Sequence, residues 1–354
     1  MSAARTLSIG LVVPCRDEAA VVVRKLANLA ACEWPDGARH RVVVVDDGSR
    51  DGTAELAREF ARDTASSLER VEIDVVTNLG APGKVSALRT GLDVLSNHGG
   101  EYDLVGTTDA DVCLEPRALV ELERAFAATP SLGLACASQR FVASLADDGT
   151  CRAADGRELV DAGGRYDRLT AAVRRFESRR DKLFSAHGQL LLWRRELGVA
   201  PRPGVAADDI DLVISVRSLG AGTRMVADAR FLEPKVPAGP DRRSQEDRRA
   251  RAYFAVFEGR TGLGRGAFDR AQWLLYRHLP RLAPRLWHGS FVLLAVVLGL
   301  LFSPWWALLS PALWAIVVAT PVGRDLERLL RVVARASREA AAHPGGDRWE
   351  MARR

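Results

Sequence analysis

Residues 42–53 read VVVVDDGSRDGT, a β-branched run that ends on two adjacent carboxylates, Asp46 and Asp47, and then on Asp-Gly and Gly-Ser turn chemistry. Taken alone, this fits a strand that leaves the core through an ordinary turn. The pattern recurs, however. Residues 14–18 (PCRDE), 78–84 (NLGAPGK) and 109–111 (DAD) each follow a short apolar run in the same way. Together they supply Asp17, Glu18, Asp46, Asp47, Lys84, Asp109 and Asp111. So many carboxylates brought to one place would repel one another, and a cation or a donor-rich ligand is expected among them. A later acidic pair, Asp208-Asp209, opens the apolar-periodic segment GVAADDIDLVISVRSLG, residues 204–220.

The elements that must position these groups follow from periodicity. Residues 9–13, 42–45, 71–76 and 103–107 read as strands, and 18–31, 53–62 and 84–95 as helices. Strands alternating with helices of this length predict a parallel sheet covered by helices. Ligands of such sheets bind outside the carboxyl ends of the strands, which is where all four polar clusters fall. Further along, residues 142–180 read as a loop leading into a helix at about 165–182, and 188–193 as a strand. Residues 208–219 read as an amphipathic helix with Ile210, Val213, Ile214 and Leu219 on its apolar side. A Pro/Gly-rich hinge at 234–240 precedes an arginine-rich helical stretch.

A chain of 354 residues can build one large α/β domain with an appendage, or two domains. The net charge is only +5, but arginine dominates residues 235–285. That local excess suits a phosphate-bearing ligand, an anionic membrane surface or a solvated basic face. Cys15, Cys32, Cys113, Cys136 and Cys151 show no metal-ligand spacing, which fits a reducing, cytosol-facing compartment. No apolar signal stretch is expected before residue 7. Residues 289–323 contain no charged residue and are interrupted at Ser303-Pro304. Two helices of about 17 to 19 residues would each just cross a hydrocarbon core of roughly 30 Å. Arg277, Arg281 and Arg285 precede the segment, and Arg324, Arg328 and Arg331 follow it. Both ends are therefore expected in the cytosol, as a two-helix transmembrane hairpin allows. A buried hairpin of soluble helices is the alternative.

The motifs VVPCRDEA (12–19), VVVVDDGSRDGT (42–53), NLGAPGKVSALRTG (78–91) and TTDAD (107–111), in this order, resemble those of family 2 glycosyltransferases. These are inverting enzymes with a GT-A fold, a mixed, mainly parallel sheet flanked by helices. The resemblance covers roughly residues 7–260 and implies a nucleotide-sugar donor, with a UDP-sugar as the expectation. It also implies a divalent metal, Mg²⁺ or Mn²⁺, since hard cations sit between carboxylates and substrate phosphates. By the resemblance, Asp111 ligates the metal, with Asp109 beside it on the ribose or sugar. Asp47 accepts from the base, Lys84 assists with the diphosphate, and Pro14, Glu18 and Asp46 complete the donor site. A solvated lysine that opens a helix is the alternative for Lys84.

Asp208-Asp209 stands where such enzymes usually carry Glu-Asp, which makes Asp209 the catalytic base and Asp208 its neighbour; plain helix N-capping is the alternative. His187 lies where the donor sugar or acceptor is contacted, or is structural. Gln245 and Arg248 match a Gln-x-x-Arg-Trp motif in which Arg249 replaces the tryptophan, and this weakens any case for processive synthesis. The resulting expectation is an inverting transferase acting on a lipid-linked, glycan or other membrane-proximal acceptor, with membrane lipids as partners and no nucleic acid. A polyprenyl-phosphate glycosyltransferase and a non-catalytic nucleotide-sugar-binding membrane component are the alternatives. The expected domains are catalytic (1–265), interfacial (266–288), transmembrane hairpin (289–323) and cytosolic amphipathic tail (324–354).

Overall fold

A computed structural model describes residues 5–97, 102–154, 165–234, 240–264 and 266–342, with the backbone alone for 165–167, 240–246 and 341–342. The chain divides into two compact units that part at residues 238 and 239.

The first unit alternates as its periodicity predicts. It runs β1 (Ile9–Cys15), α1 (Val22–Ala31), β2 (His40–Asp46), α2 (Thr53–Thr64), β3 (Val71–Thr77), α3 (Lys84–Asn97) and β4 (Leu104–Thr108). There follow β5 (Cys113–Leu114), α4 (Ala118–Ala128), β6 (Leu132–Val142), α5 (Arg165–Ser178), β7 (Leu190–Arg194), α6 (Asp208–Ser218) and β8 (Gly222–Pro234). One eight-stranded sheet has the order β3-β2-β1-β4-β7-β6-β8-β5. Strands β1 to β4 are mutually parallel, so their carboxyl ends share one edge. Strand β7 runs antiparallel to both β4 and β6, whereas β8 is parallel to β6, which makes the sheet mixed.

Alternation along β1 divides the core between the two faces of the sheet. Ile9, Leu11 and Val13 pack with Leu26 and Leu29 of α1 and Leu122 and Phe126 of α4. Val12 packs on the other face with Leu88 of α3, Val213 and Val216 of α6, and Trp193. Contact between α3 and β1 is so close that a Cβ at Gly91 would overlap the methyl groups of Val12.

In the second unit, α7 (Pro240–Ala255) is followed by α8 (Ala267–Trp273), which runs through a π turn into α9 (Leu279–Leu301). The expected break falls at Phe302-Ser303. Ser303 caps a short 3-10 turn that begins at Pro304, a residue well placed there because it has no N–H to lose. The chain returns as α10 (Leu309–Ala319), clamped to α9 by the Ser310 hydroxyl, which donates to the Phe291 carbonyl. It then bends by 97° into α11 (Pro321–Ala342). Helix α11 packs Ala336 and Ala340 against Phe254 of α7.

Candidate active site

Four strand ends converge as the sequence predicts. Asp46 turns back to accept from the amide of Ser49, and Asp17, in the left-handed region at φ 51°, accepts from the amide of Arg50. The amides of Glu18 and Ala19 donate to Thr53 Oγ1 and Asp51, which ties the β1 end to the start of α2. Pro14 is buried in β1, beside Val45. Asp47 is buried and already well supplied with donors: Asn78 Nδ2, the Gly83 amide at 2.8 Å and Arg16 at 3.4 Å. A carboxylate offers about four acceptor positions. Asp47 therefore fixes the 78–84 loop and keeps capacity for roughly one more donor.

Lys84, the first residue of α3, stands between the two halves of the sheet. Its Nζ is 2.8 Å from Asp109 after β4 and 3.7 Å from Asp208 at the start of α6. Burial works against its charge, but Asp109 and Asp208 outweigh it and hold the ammonium above the usual lysine value. Asp208 is buried, and its Oδ2 has no hydrogen-bond partner among the described residues. Asp209 beside it is half-buried, accepts from the Ile210 amide at 2.8 Å, and faces Gly188, where an added Cβ would lie 3.8 Å from its Oδ2. Burial, then the charge of Asp208, pushes the Asp209 carboxyl up to about 6. Such a group is mostly ionised at neutral pH yet more basic than a solvated aspartate, which suits proton abstraction. Asp211, fully buried, holds the preceding loop through Arg202 Nε at 2.7 Å.

The remaining expected residues are placed differently. Asp111 lies in the turn after β4, half-exposed, two positions from Asp109. His187 points into the interior, edge-on to Phe231, and burial followed by the charge of Arg174 pushes it down to about 3, so that it is neutral. Arg248 lies on α7 in the second unit, and the side chain of Gln245 falls outside the described residues. Among the described residues no three His, Cys, Asp or Glu side chains converge as a metal cage. The donor set of Asp109 and Asp111 is nevertheless hard and oxygen-only. It fits a cation that completes its shell with substrate oxygens and water.

Two residues that matter here carried no signal of their own in the sequence. Lys25 Nζ, fully buried, donates to Thr108 Oγ1 at 2.7 Å and to the Val112 carbonyl at 3.1 Å, so it grips both sides of the Asp109-Ala110-Asp111 turn. Asn28 exchanges hydrogen bonds with the backbone of Leu114, at 3.0 and 2.7 Å. The available clue was a lysine and an asparagine on the face of α1 that carries Val22, Leu26 and Leu29.

The chain matches the family described as Glycosyltransferase like family 2 over residues 6–255. It is 26% identical over 133 residues to poly-beta-1,6-N-acetyl-D-glucosamine synthase of Staphylococcus epidermidis; the match spans 38% of this chain and 29% of the length of that curated relative. Among solved structures, mannosyltransferase PcManGT of Pyrobaculum calidifontis, in complex with GDP-Man and Mn²⁺, superposes with a TM-score of 0.65. Its 22% identity, over 94% of this chain and 86% of that one, establishes the GT-A fold and nothing finer.

Two outcomes follow from this geometry. With its pKa raised on folding, Asp209 contributes stability that is complete below its unfolded value of ~4 and lost as pH rises through about 6. Asp209→Asn should therefore flatten urea melts across that window and exceed the wild type above it by on the order of 1 kcal/mol. An unchanged pH slope would refute the raised carboxyl. Lys25→Met removes the grip on the turn, so the amides of residues 109–112 should exchange roughly tenfold faster while those of β1 to β3 keep their rates. Hydrogen exchange followed by mass spectrometry checks this.

Proposed function

The chain belongs to glycosyltransferase family 2, and on that premise we propose that it is an inverting enzyme that moves a sugar from a nucleoside diphosphate sugar to a lipid-linked or membrane-proximal acceptor. The observation that carries the reading is the constellation in which Lys84 bridges Asp109 and Asp208 while Asp209 stands beside them with a raised pKa. A transfer of this kind needs positive charge at the departing diphosphate and a base at the acceptor, on the opposite side of the reacting carbon.

Each end has its residues. Lys84 is held charged and half-buried, and exchanges its carboxylate partners for phosphate oxygens when a donor enters. Asp47 takes a donor group of the base in its remaining acceptor position, and Pro14, Glu18 and Asp46 shape that end of the cleft. A divalent cation held by Asp111 and Asp109 would supply Lewis-acid stabilisation of the leaving diphosphate. Asp209 takes the acceptor hydroxyl proton. Asp208, buried next to it, keeps its pKa up, and Gly188 leaves room for the approach. His187, neutral and interior, supports the Gly188 segment and moves no proton. Gln245 and Arg248 are assigned to the acceptor or the diphosphate by motif alone.

The membrane reading rests on the second unit. Its helix Ala267–Leu301 is long and apolar enough to cross a bilayer, and its most apolar stretch buries none of its residues. Leu293, Leu300, Trp305 and Ile316 are all exposed, as lipid-facing residues of a hairpin would be. Residues 304–319 span roughly 25 Å at 1.5 Å per residue, a little short of the ~30 Å core. A thinned bilayer, or insertion without full crossing, accommodates that shortfall. Residues 289–323 are the inserted hairpin, with both of its ends on the cytoplasmic side.

Thermal melts of the full chain with a panel of nucleotide sugars and Mn²⁺ test the donor assignment, because a ligand that binds only the folded state raises its stability. The matching donor should raise the melting temperature only with metal present, and Asp111→Ala should lose the metal-dependent part without lowering the ligand-free value. Failure of every nucleotide sugar to stabilise the protein would overturn the reading. Asp209→Asn should keep the donor-induced shift but lose roughly 10²–10⁴-fold in transfer or donor hydrolysis. Hydrolysis at the wild-type rate would remove Asp209 from the mechanism. For the hairpin, the protein should stay in the membrane pellet after carbonate washing, with reporters at both ends on the cytosolic side. Release by carbonate would overturn the insertion.

A further inference from the structure

Helix α11 carries Arg324, Arg328, Arg331, Arg335 and Arg338, spaced by alternating steps of four and three, so that all five lie on one face. Helix α11 packs against α7 through Ala336 and Ala340, and beside that contact a cleft of about 440 Å³ is lined by Arg328, Arg331, Val332, Arg335 and Asp247. Three arginines and one aspartate thus line it. Among the described residues Arg324, Arg335 and Arg338 have no carboxylate partner, and Arg331, largely exposed, donates to the Glu327 backbone carbonyl at 3.4 Å and stands 3.8 Å from its carboxylate. A solvated basic face would explain charge at these positions, but it does not explain where the face lies.

Its level is set by hydrogen bonds. Buried Glu327 accepts from Trp287 Nε1 at 3.2 Å and lies 3.3 Å from His288 Nε2. Trp287 and His288 immediately precede the charge-free residues 289–323. The second turn of α11 is therefore pinned where the apolar hairpin begins, and the 97° bend after α10 turns α11 across the hairpin instead of along it. If the hairpin enters a bilayer, α11 runs along the headgroup layer.

We propose that the arginine face of α11 binds the phosphates of anionic membrane lipids and so seats the second unit on the bilayer surface. The proposal rests on the reading of residues 289–323 as an inserted hairpin. Guanidinium forks pair with phosphate oxygens in a bidentate manner, and a row of them meets a row of headgroups. Each basic residue close to an anionic surface contributes about a fivefold gain in affinity, so three of them contribute roughly a hundredfold.

The test uses the full chain in neutral detergent. Its melting temperature is followed while phosphatidylglycerol, phosphatidylcholine or inorganic phosphate is added. Phosphatidylglycerol should stabilise the protein, and the other two should not. The effect should shrink steeply when salt is raised, because headgroup charge is screened. In the triple variant R331Q/R335Q/R338Q the phosphatidylglycerol midpoint should move up at least tenfold, and in R331K/R335K/R338K it should stay within a few-fold of wild type. Stabilisation that ignores salt, equal responses to the two lipids, or an equal response in the glutamine variant would overturn the proposal. So would reproduction of the effect by inorganic phosphate, which would make the face a soluble-anion site. The salt series needs no variant, so it decides even if the glutamine protein does not fold. Carbonate washing reports separately on the hairpin, so a failed insertion and a failed lipid surface are told apart.

Discussion

Carboxylates crowded at one sheet edge are tolerated only if their charge is answered from within the fold, and here two lysines answer it from opposite sides. Lys84 approaches from the open side and bridges Asp109 and Asp208. Lys25 lies behind the same turn, fully buried, and grips Thr108 and Val112. Their environments drive them apart. Burial pulls Lys25 below the usual lysine value, whereas the carboxylates around Lys84 overcome its burial and raise it. The rear lysine acts through hydrogen bonds and fixes the backbone; the front one acts through charge and can be displaced by a ligand that brings its own negative charge.

The parallel arrangement of β1 to β4 makes this economical. Because every one of these strands ends on the same edge, each following loop delivers its polar residues to one place without long connections. Strand β7, antiparallel beside β4, then brings the Gly188 segment back to the same edge from the other direction, and α6 contributes Asp208 and Asp209 from its first turn. Carboxylates at a helix N-terminus are favoured by the exposed amides and the dipole there. The fold can thus place two adjacent aspartates where the energetic cost is least, and spend burial on raising the pKa of one of them.

How much of this was legible follows from the range of the interactions. Strand ends and helix starts are local, so the four polar clusters could be read from periodicity and turn chemistry, and the Asp208-Asp209 pair from a helix start together with the family resemblance. Strand β8 could not. GTRMVADARFLEP has few large apolar residues, and its register with β6 slips between Val226 and Arg230, where the bulge turns Asp228 outward. Lys25 and Asn28 were hidden for another reason: their partners lie more than eighty residues away in the chain and are mostly backbone atoms, which leave no side-chain pattern to read. His187 was conspicuous by its type, yet it sits in the interior against Phe231, and a neutral buried histidine looks the same in sequence as a reactive one.

The second unit makes the converse point, that a pattern can be plain while its meaning depends on a bend. The break at Ser303 and the charge-free run were visible in the sequence. The arginines of α11 read only as a basic flank, because spacing cannot say whether a helix continues along the hairpin or turns across it. One residue, Thr320, separates α10 from α11, and the turn there is held by the Thr320 hydroxyl, which accepts from the Gly323 amide and donates to the Val317 carbonyl. With the bend fixed in this way and Glu327 tied to Trp287, five arginines that would otherwise line one face of a solvated tail form a row at the base of an apolar hairpin. Position along a surface, more than charge itself, is what makes such a row selective for an extended anionic partner over a single small anion.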